Sequence, residues 1–338
     1  MSIESIYWKL TENYNQELHT SIRLIEVEGG CRPPEAIIET QEVTFCPHYE
    51  TLIQLFNGFT AHPAEGSPVI HHFLLYHQAL RKRLYREAHL LLEKLQKELE
   101  ALRAVISTEE QQSLHLFAQY QTLFVLVHEF SHIFYAQRSD LLVINQDSLK
   151  QDLIWLRKEL DASPYWWFKL ARWVIPRLAW TQTHSFDEVI ATPSLQEELL
   201  CDDAAWRMMH NMIQAYPVDE EGRATISAYV VFSLYYLEMQ RTLESMYLSA
   251  NSQPLQKDLM YYTTRSTVLV NRAWDDVPAI ECYKSLVNRL THKGRFSLMC
   301  SLRTSADDID YIRSSPKGKY NLQEEQQLAE MYNDILHE

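Results

Sequence analysis

TEEQQSLHLFAQYQTLFVLVHEFSHIFYAQ, residues 108–137, is the stretch on which the reading of this chain turns. Thr108, Glu109 and Glu110 have the character of a helix start, a capping hydroxyl followed by acids in the first turn, and the helix is expected to run to about Gln137. Within it, Phe124 to Phe134 is apolar except for His128, Glu129, Ser131 and His132. Residues i and i+4 share one helical face, so the two imidazoles point the same way. Two histidines and a glutamate in so apolar a helix would be costly to bury without partners or a metal.

Helical signals continue on both sides. Val69 to Ser107 carries leucines among Lys, Arg and Glu at the spacing of a long amphipathic helix. A second amphipathic stretch spans Ser148 to Asp161, and Ser163-Pro164 opens an aromatic helix with Trp166, Trp167, Trp173 and Trp180, ended or kinked near Pro176. The default reading of that aromatic segment is core packing, with a substrate-groove wall or an interfacial face as alternatives. Thr192-Pro193-Ser194 starts a helix to about Tyr216, Pro217 separates it from another over Glu220 to Leu248, a helix or two follow between Leu255 and Leu290, and a polar one closes the chain over Leu322 to Leu336.

Residues 1–67 differ. Gly29-Gly30, Pro33-Pro34, Pro47, Gly58, Pro63 and Gly66-Ser67-Pro68 are turn signals at short spacing, and Ala36 to Phe45 has the mixture of a strand or two. The expected architecture is mainly α: an irregular N-terminal cap or subdomain over 1–67, then a helical domain over 68–338. Composition agrees. The chain has 7 glycines in 338 residues, roughly a third of the usual share of about 7%, which disfavours Gly-rich phosphate loops and hairpin-rich β folds.

A net charge of −14 argues against general nucleic-acid binding, which draws on clustered Lys and Arg. The five cysteines are an odd number without CxxC spacing, the usage of reduced thiols in a cytoplasmic protein. No apolar run serves as a signal peptide or membrane span; the nearest, Tyr165 to Trp180, is broken by Lys169, Arg172 and Arg177.

His128-Glu129-Phe130-Ser131-His132 is the HExxH pattern. Both histidines can bind one zinc ion, with Glu129 about 100° round the helix as the base that holds a water without ligating the metal. Such zinc sites need a third protein ligand and leave a fourth position for water. The HExxHxxGxxH solution is excluded, because Tyr135 occupies the glycine position and Arg138 that of the last histidine. The other solution takes a glutamate from a later helix, and Gln196 to Ala204 offers it. Glu198 and Asp202, four residues apart on one face, suit a ligand and a hydrogen-bond acceptor for the outer nitrogen of His128. Glu197 is the alternative ligand, with Cys201 in place of Asp202.

HEFSH followed by EELLCDD resembles the gluzincin metallopeptidases, which share an HExxH helix and a later ExxxD helix. The low-glycine helical character is similar to that of the Lit-like phage-exclusion peptidases of bacteria. The resemblance implies a zinc-dependent endopeptidase acting on a protein or peptide substrate, in a bacterial defence or toxin-type setting. It also implies an oxyanion donor from a downstream His, Tyr or Arg. His210 lies too far along its helix, which leaves Arg265 and Tyr262, although Arg265-Ser266 departs from the family's His-Pro and Arg pattern. The rival expectation is a catalytically silent regulatory or interaction module on the same scaffold, with a protein partner. Elsewhere, His71, His72 and His77 lack the spacing of a zinc pair and are expected partly buried or at the surface, and Cys46-Pro47-His48 finds no matching pair.

Overall fold

The computed structural model describes residues 3–27, 32–46, 48–142, 149, 193–248, 265, 269 and 277–337. The protein is mainly helical with one small sheet near its N-terminus. Helix α1 (Ile3–Leu18) leads into β1 (Arg23–Glu26), β2 (Glu35–Ile37), a 3-10 turn (Ile38–Thr40) and β3 (Glu42–Phe45). Strand β3 is central, parallel to β1 with Leu24 opposite Val43 and antiparallel to β2 with Ala36 opposite Val43. Gln41 makes the tight β2–β3 connection with a φ of 56°. Helices α2 (His48–Ala61), α3 (Pro63–Arg81), α4 (Tyr85–Val105) and α5 (Thr108–Gln137) follow. The later elements are α6 (Pro193–Ala215), α7 (Glu220–Leu248), α8 (Val277–Arg289), a π-helical turn (Leu290–Gly294), α9 (Arg295–Thr304), α10 (Ala306–Ser314) and α11 (Leu322–His337). No helix among the described residues is long and apolar enough to cross a membrane.

One hydrophobic cluster runs from Tyr7 and Leu24 through α2–α5 and α7 to Tyr332 and Ile335. Residues 1–67 therefore contribute to the same core as the helices that follow, and α3 crosses the expected boundary at 67/68. The strands expected over 36–45 are present, but the segment also holds α1 and α2, so it is less irregular than its turn residues imply.

Gly66 was among those turn signals, yet it lies inside α3. A Cβ there would fall 2.4 Å from the Cα of Phe59 and 2.8 Å from its backbone nitrogen, so the glycine permits a close crossing of α2 and α3. Gly66→Ala is expected to lower stability by about 3 kcal/mol, since the obstacle is helix backbone rather than a side chain that can turn away. Urea denaturation checks this, and an unchanged midpoint would refute the crossing.

The long helix expected over 69–107 is two helices. Arg83 adopts a φ of 58°, and its amide bonds back to the Leu80 carbonyl, folding α4 against α3. This turn also holds the C-terminal part of the chain. The Lys82 ammonium donates to the carbonyls of Ile312, Arg313 and Ser315 at 2.7, 2.8 and 3.1 Å, at the C-terminal end of helix α10, where a cation is favourable. Gly318 donates its amide to the Lys82 carbonyl at 2.7 Å.

The three histidines of α3 are buried, at 0, 8 and 4% exposure for His71, His72 and His77, rather than partly exposed. Helix α3 is enclosed by α2, α4 and α9, so even its polar positions face neighbours. The expected helices over 148–161 and 165–180, apart from Leu149, lie outside the described residues, as do Cys31 and Tyr262.

Candidate metal centre

Helix α5 begins one residue earlier than its sequence suggests, with the Ser107 side chain accepting from the Glu110 amide at 3.2 Å. Its second half is enclosed, with Phe124, Leu126, Phe130 and Ile133 in the core. Gln121 ties it to its neighbours by accepting from Asn57 of α2 at 2.9 Å and donating to the Tyr229 carbonyl of α7 at 2.8 Å. From the N-terminal side, Tyr14 of α1 sets its ring edge-on against Phe130 and its hydroxyl near Ser131. Helix α5 is thus fixed on several sides, which fixes the directions of His128 and His132.

Helix α6 meets α5 through a second cluster: Leu195, Leu199, Leu200 and Cys201 pack with Tyr135 and Leu149. This contact brings its carboxylates to the histidines. His128 Nδ1 lies 2.9 Å from Asp202 Oδ1, and His132 Nδ1 lies 3.1 Å from Glu197 Oε1. Each outer ring nitrogen is thereby assigned a proton that it donates to a carboxylate, and in the neutral tautomer each Nε2 presents its lone pair inward.

The inward nitrogens, His128 Nε2 and His132 Nε2, are 3.1 Å apart. Glu198 offers Oε2 at 3.2 Å from the first and Oε1 at 3.7 Å from the second. A tetrahedral ion with bonds of about 2.0–2.1 Å needs donors about 3.3 Å apart. The two ring nitrogens fit that demand, and the Glu198 carboxylate offers a different oxygen toward each, Oε2 being held by Arg265 as well. The side chain of Glu129 completes the group, since donor atoms of His128, Glu129 and His132 all lie within 4.8 Å of one another.

Glu129 is aimed by the sheet. The backbone amide of Ala36, on edge strand β2, donates to Glu129 Oε2 at 2.9 Å. Burial raises the Glu129 pKa above the ordinary carboxylate value, while His128, His132 and the Ala36 amide pull it back. The result is a carboxylate that accepts a proton more readily than an exposed one.

Arg265 reaches the same place and is 4% exposed. Its Nε and one terminal nitrogen grip Asp202 at 2.8 and 2.7 Å, a bidentate pair, and its other terminal nitrogen meets Glu198 Oε2 at 2.7 Å. The nitrogen on Asp202 also lies 3.5 and 3.4 Å from the two ring nitrogens of His128. Burial alone would raise the carboxyl groups of Glu198 and Asp202, but Arg265 and His128 outweigh it and hold both below their ordinary values. For His128 burial acts downward, yet the Asp202 carboxylate lifts its pKa to about 9 in the metal-free protein.

The structure therefore gathers His128, Glu129, His132, Glu198, Asp202 and Arg265 from separate parts of the sequence. Between the two adjacent glutamates, it puts Glu198 toward both inward nitrogens and Glu197 on the outer nitrogen of His132. That pairing of Glu197 was missed in the sequence, where Glu197 stood only as the alternative ligand to Glu198. The Ala36 contact was also missed, and a backbone amide carries no residue signature. Cys201 is buried and its thiol pKa is pushed up, so it stays protonated among the leucines. His210 is exposed farther along α6, away from these groups. The chain matches no protein-family model, no curated protein and no solved structure.

Proposed function

We propose that the chain is a zinc-dependent endopeptidase, with His128, His132 and Glu198 as metal ligands and Glu129 as general base. The observation that carries this reading is the pair of inward imidazole nitrogens at ion-binding spacing, with the Glu198 carboxylate facing both and a partly buried, hydrogen-bonded glutamate beside them. Zinc bound there would supply a water acidified to near-neutral pKa and an electrophile for a carbonyl oxygen. Glu129 would take the proton of the attacking water and later deliver it to the leaving amine. The Ala36 amide keeps one carboxylate oxygen fixed while the other works. Asp202 and Glu197 hold the imidazoles in the tautomer that leaves Nε2 for the ion.

A protein or peptide substrate follows from the resemblance of HEFSH and EELLCDD to gluzincins, a role in bacterial defence or a toxin-type system from the similarity to the Lit-like peptidases, and a cytoplasmic setting from the cysteine usage. Tyr262, one candidate for the oxyanion donor, lies outside the described residues. Arg265, the other, is turned onto two carboxylates, and that arrangement favours a different duty, developed below. The same arrangement supports a second reading, an interaction module that needs no ion, because Glu198 already has a cation.

Elemental analysis after extensive dialysis separates the two. The expected result is about one zinc per chain in the wild type, the stoichiometry of a catalytic site, and strong loss in His128→Ala and Glu198→Ala. A folded wild type without metal would put the interaction module first.

A further inference from the structure

We infer that Arg265 is a built-in counter-ion that keeps Glu198 and Asp202 in place beside the two imidazoles when no metal is bound, so that the fold does not depend on zinc. The inference rests on the zinc reading above. Small metal sites commonly lack structure without their ion, because the ligands repel one another and lose their solvent for nothing. Here four carboxylates, Glu129, Glu197, Glu198 and Asp202, surround two imidazoles. Asp202 is 1% exposed and Glu198 only 23% exposed at its side chain, so water screens them poorly.

Arg265 answers that charge geometrically. Three of its nitrogens each meet a carboxylate oxygen at 2.8 Å or less, and the guanidinium holds two acids that lie one helical turn apart. A planar fork suits this better than an ammonium, which would offer a point charge to one acid at a time. Glu198 Oε1 is left facing His132 Nε2 at 3.7 Å, so the cation secures the ligand without covering the oxygen on that side. Arg265 is therefore a positioning residue. It acts on the ion through Glu198 and on His128 through Asp202.

Removal of one partner of a buried ion pair leaves the other uncompensated. In the metal-free protein the loss of Arg265 would strand Asp202 and Glu198 together. With zinc present, Glu198 is bound to the ion and Asp202 faces an imidazole whose positive character the ion increases, so both charges are again answered. Loss of the arginine should thus matter mainly without metal. Loss of mere packing would matter equally in both conditions.

The experiment is thermal unfolding of the full chain in excess EDTA and in excess zinc, with zinc content measured on the same preparations. Arg265→Met keeps the apolar stem and removes the charge and donors, and Arg265→Lys keeps the charge alone. In EDTA the wild type is expected to stay folded, and Arg265→Met to melt about 6–10 °C lower. Zinc should erase most of that gap, and Arg265→Lys should fall between the two in EDTA. An equal gap with and without zinc overturns the inference, as does a wild type that unfolds when stripped. If Arg265→Met is insoluble in both conditions, the same comparison on Arg265→Lys decides. A zinc-free wild type removes the metal reading itself, whereas a zinc-loaded wild type with equal gaps removes only the role of Arg265.

Discussion

Glu129→Gln is expected to retain zinc and the fold while losing peptide hydrolysis by roughly 10²–10⁴-fold, the usual contribution of a positioned general base. The substitution is nearly isosteric, and the amide oxygen of Gln can still accept from Ala36, so the β2–α5 contact survives. His128, His132 and Glu198 are untouched, so metal content should equal that of the wild type. What disappears is a group able to take a proton. Hydrolysis of a fluorescently labelled unfolded protein, followed beside zinc content and melting temperature, reads all three properties. A variant that cleaves as fast as the wild type would show that Glu129 is not the base. Zinc loss in the variant would mean that Glu129 helps to hold the ion.

The second large effect concerns acid. Burial lowers the pKa of His71 to about 3, of His72 to about 4 and of His77 to about 3. Secondary causes are His72 and Lys94 near His71, Lys94 near His72, and His48 and Arg81 near His77; Asp308 works the other way on the first two. An unfolded histidine titrates at about 6.5. Between about pH 6.5 and 4 the unfolded chain therefore binds protons at these positions that the native state refuses. Stability is full above about pH 6.5 and falls as the pH drops, by about 1.4 kcal/mol per pH unit for each histidine.

Three such residues give a loss of about 4 kcal/mol per unit in that window, enough to unfold a domain of ordinary stability well above pH 4. Urea titrations at several pH values test this, with His77→Gln as the control that should shed about a third of the slope. An unchanged slope in that variant would mean that other groups drive acid unfolding. In the metal-free protein His128 acts with the opposite sign. Its native pKa of about 9 stands above the unfolded value, so its contribution is full below about pH 6.5 and fades as the pH rises toward 9. Together the two effects set a stability maximum near pH 6.5 when metal is absent.

The helical character, the extent of α5, α6, α7 and α11, and the gathering of the HExxH and ExxxD residues were legible in the sequence. They rest on local rules, namely periodicity, capping residues and a spacing of four. What the sequence hid depends on contacts between distant segments. Gly66 has the composition of a turn but serves a helix crossing, and only the position of Phe59 reveals it. Arg83 breaks a long leucine-patterned helix without a glycine or proline to announce it. Helices α9 and α10 are short and mixed in pattern, so their periodicity was too weak to read. The burial of His71 follows from enclosure of α3 on several sides, which no single helix pattern encodes.

The Lys82 clip puts these parts on a clock. Its three acceptors lie 230 to 233 positions downstream, and chains are synthesised at about 5–20 residues per second. Lys82 is therefore synthesised about 10–50 s before its partners. The residues of the candidate site emerge inside that interval and in a fixed order: the histidines first, then the acids of α6, then Arg265, 63 residues after Asp202. For about 3–13 s the nascent chain holds these histidines and acids without Arg265. During that interval Glu198 and Asp202 lack the internal guanidinium that later grips them both.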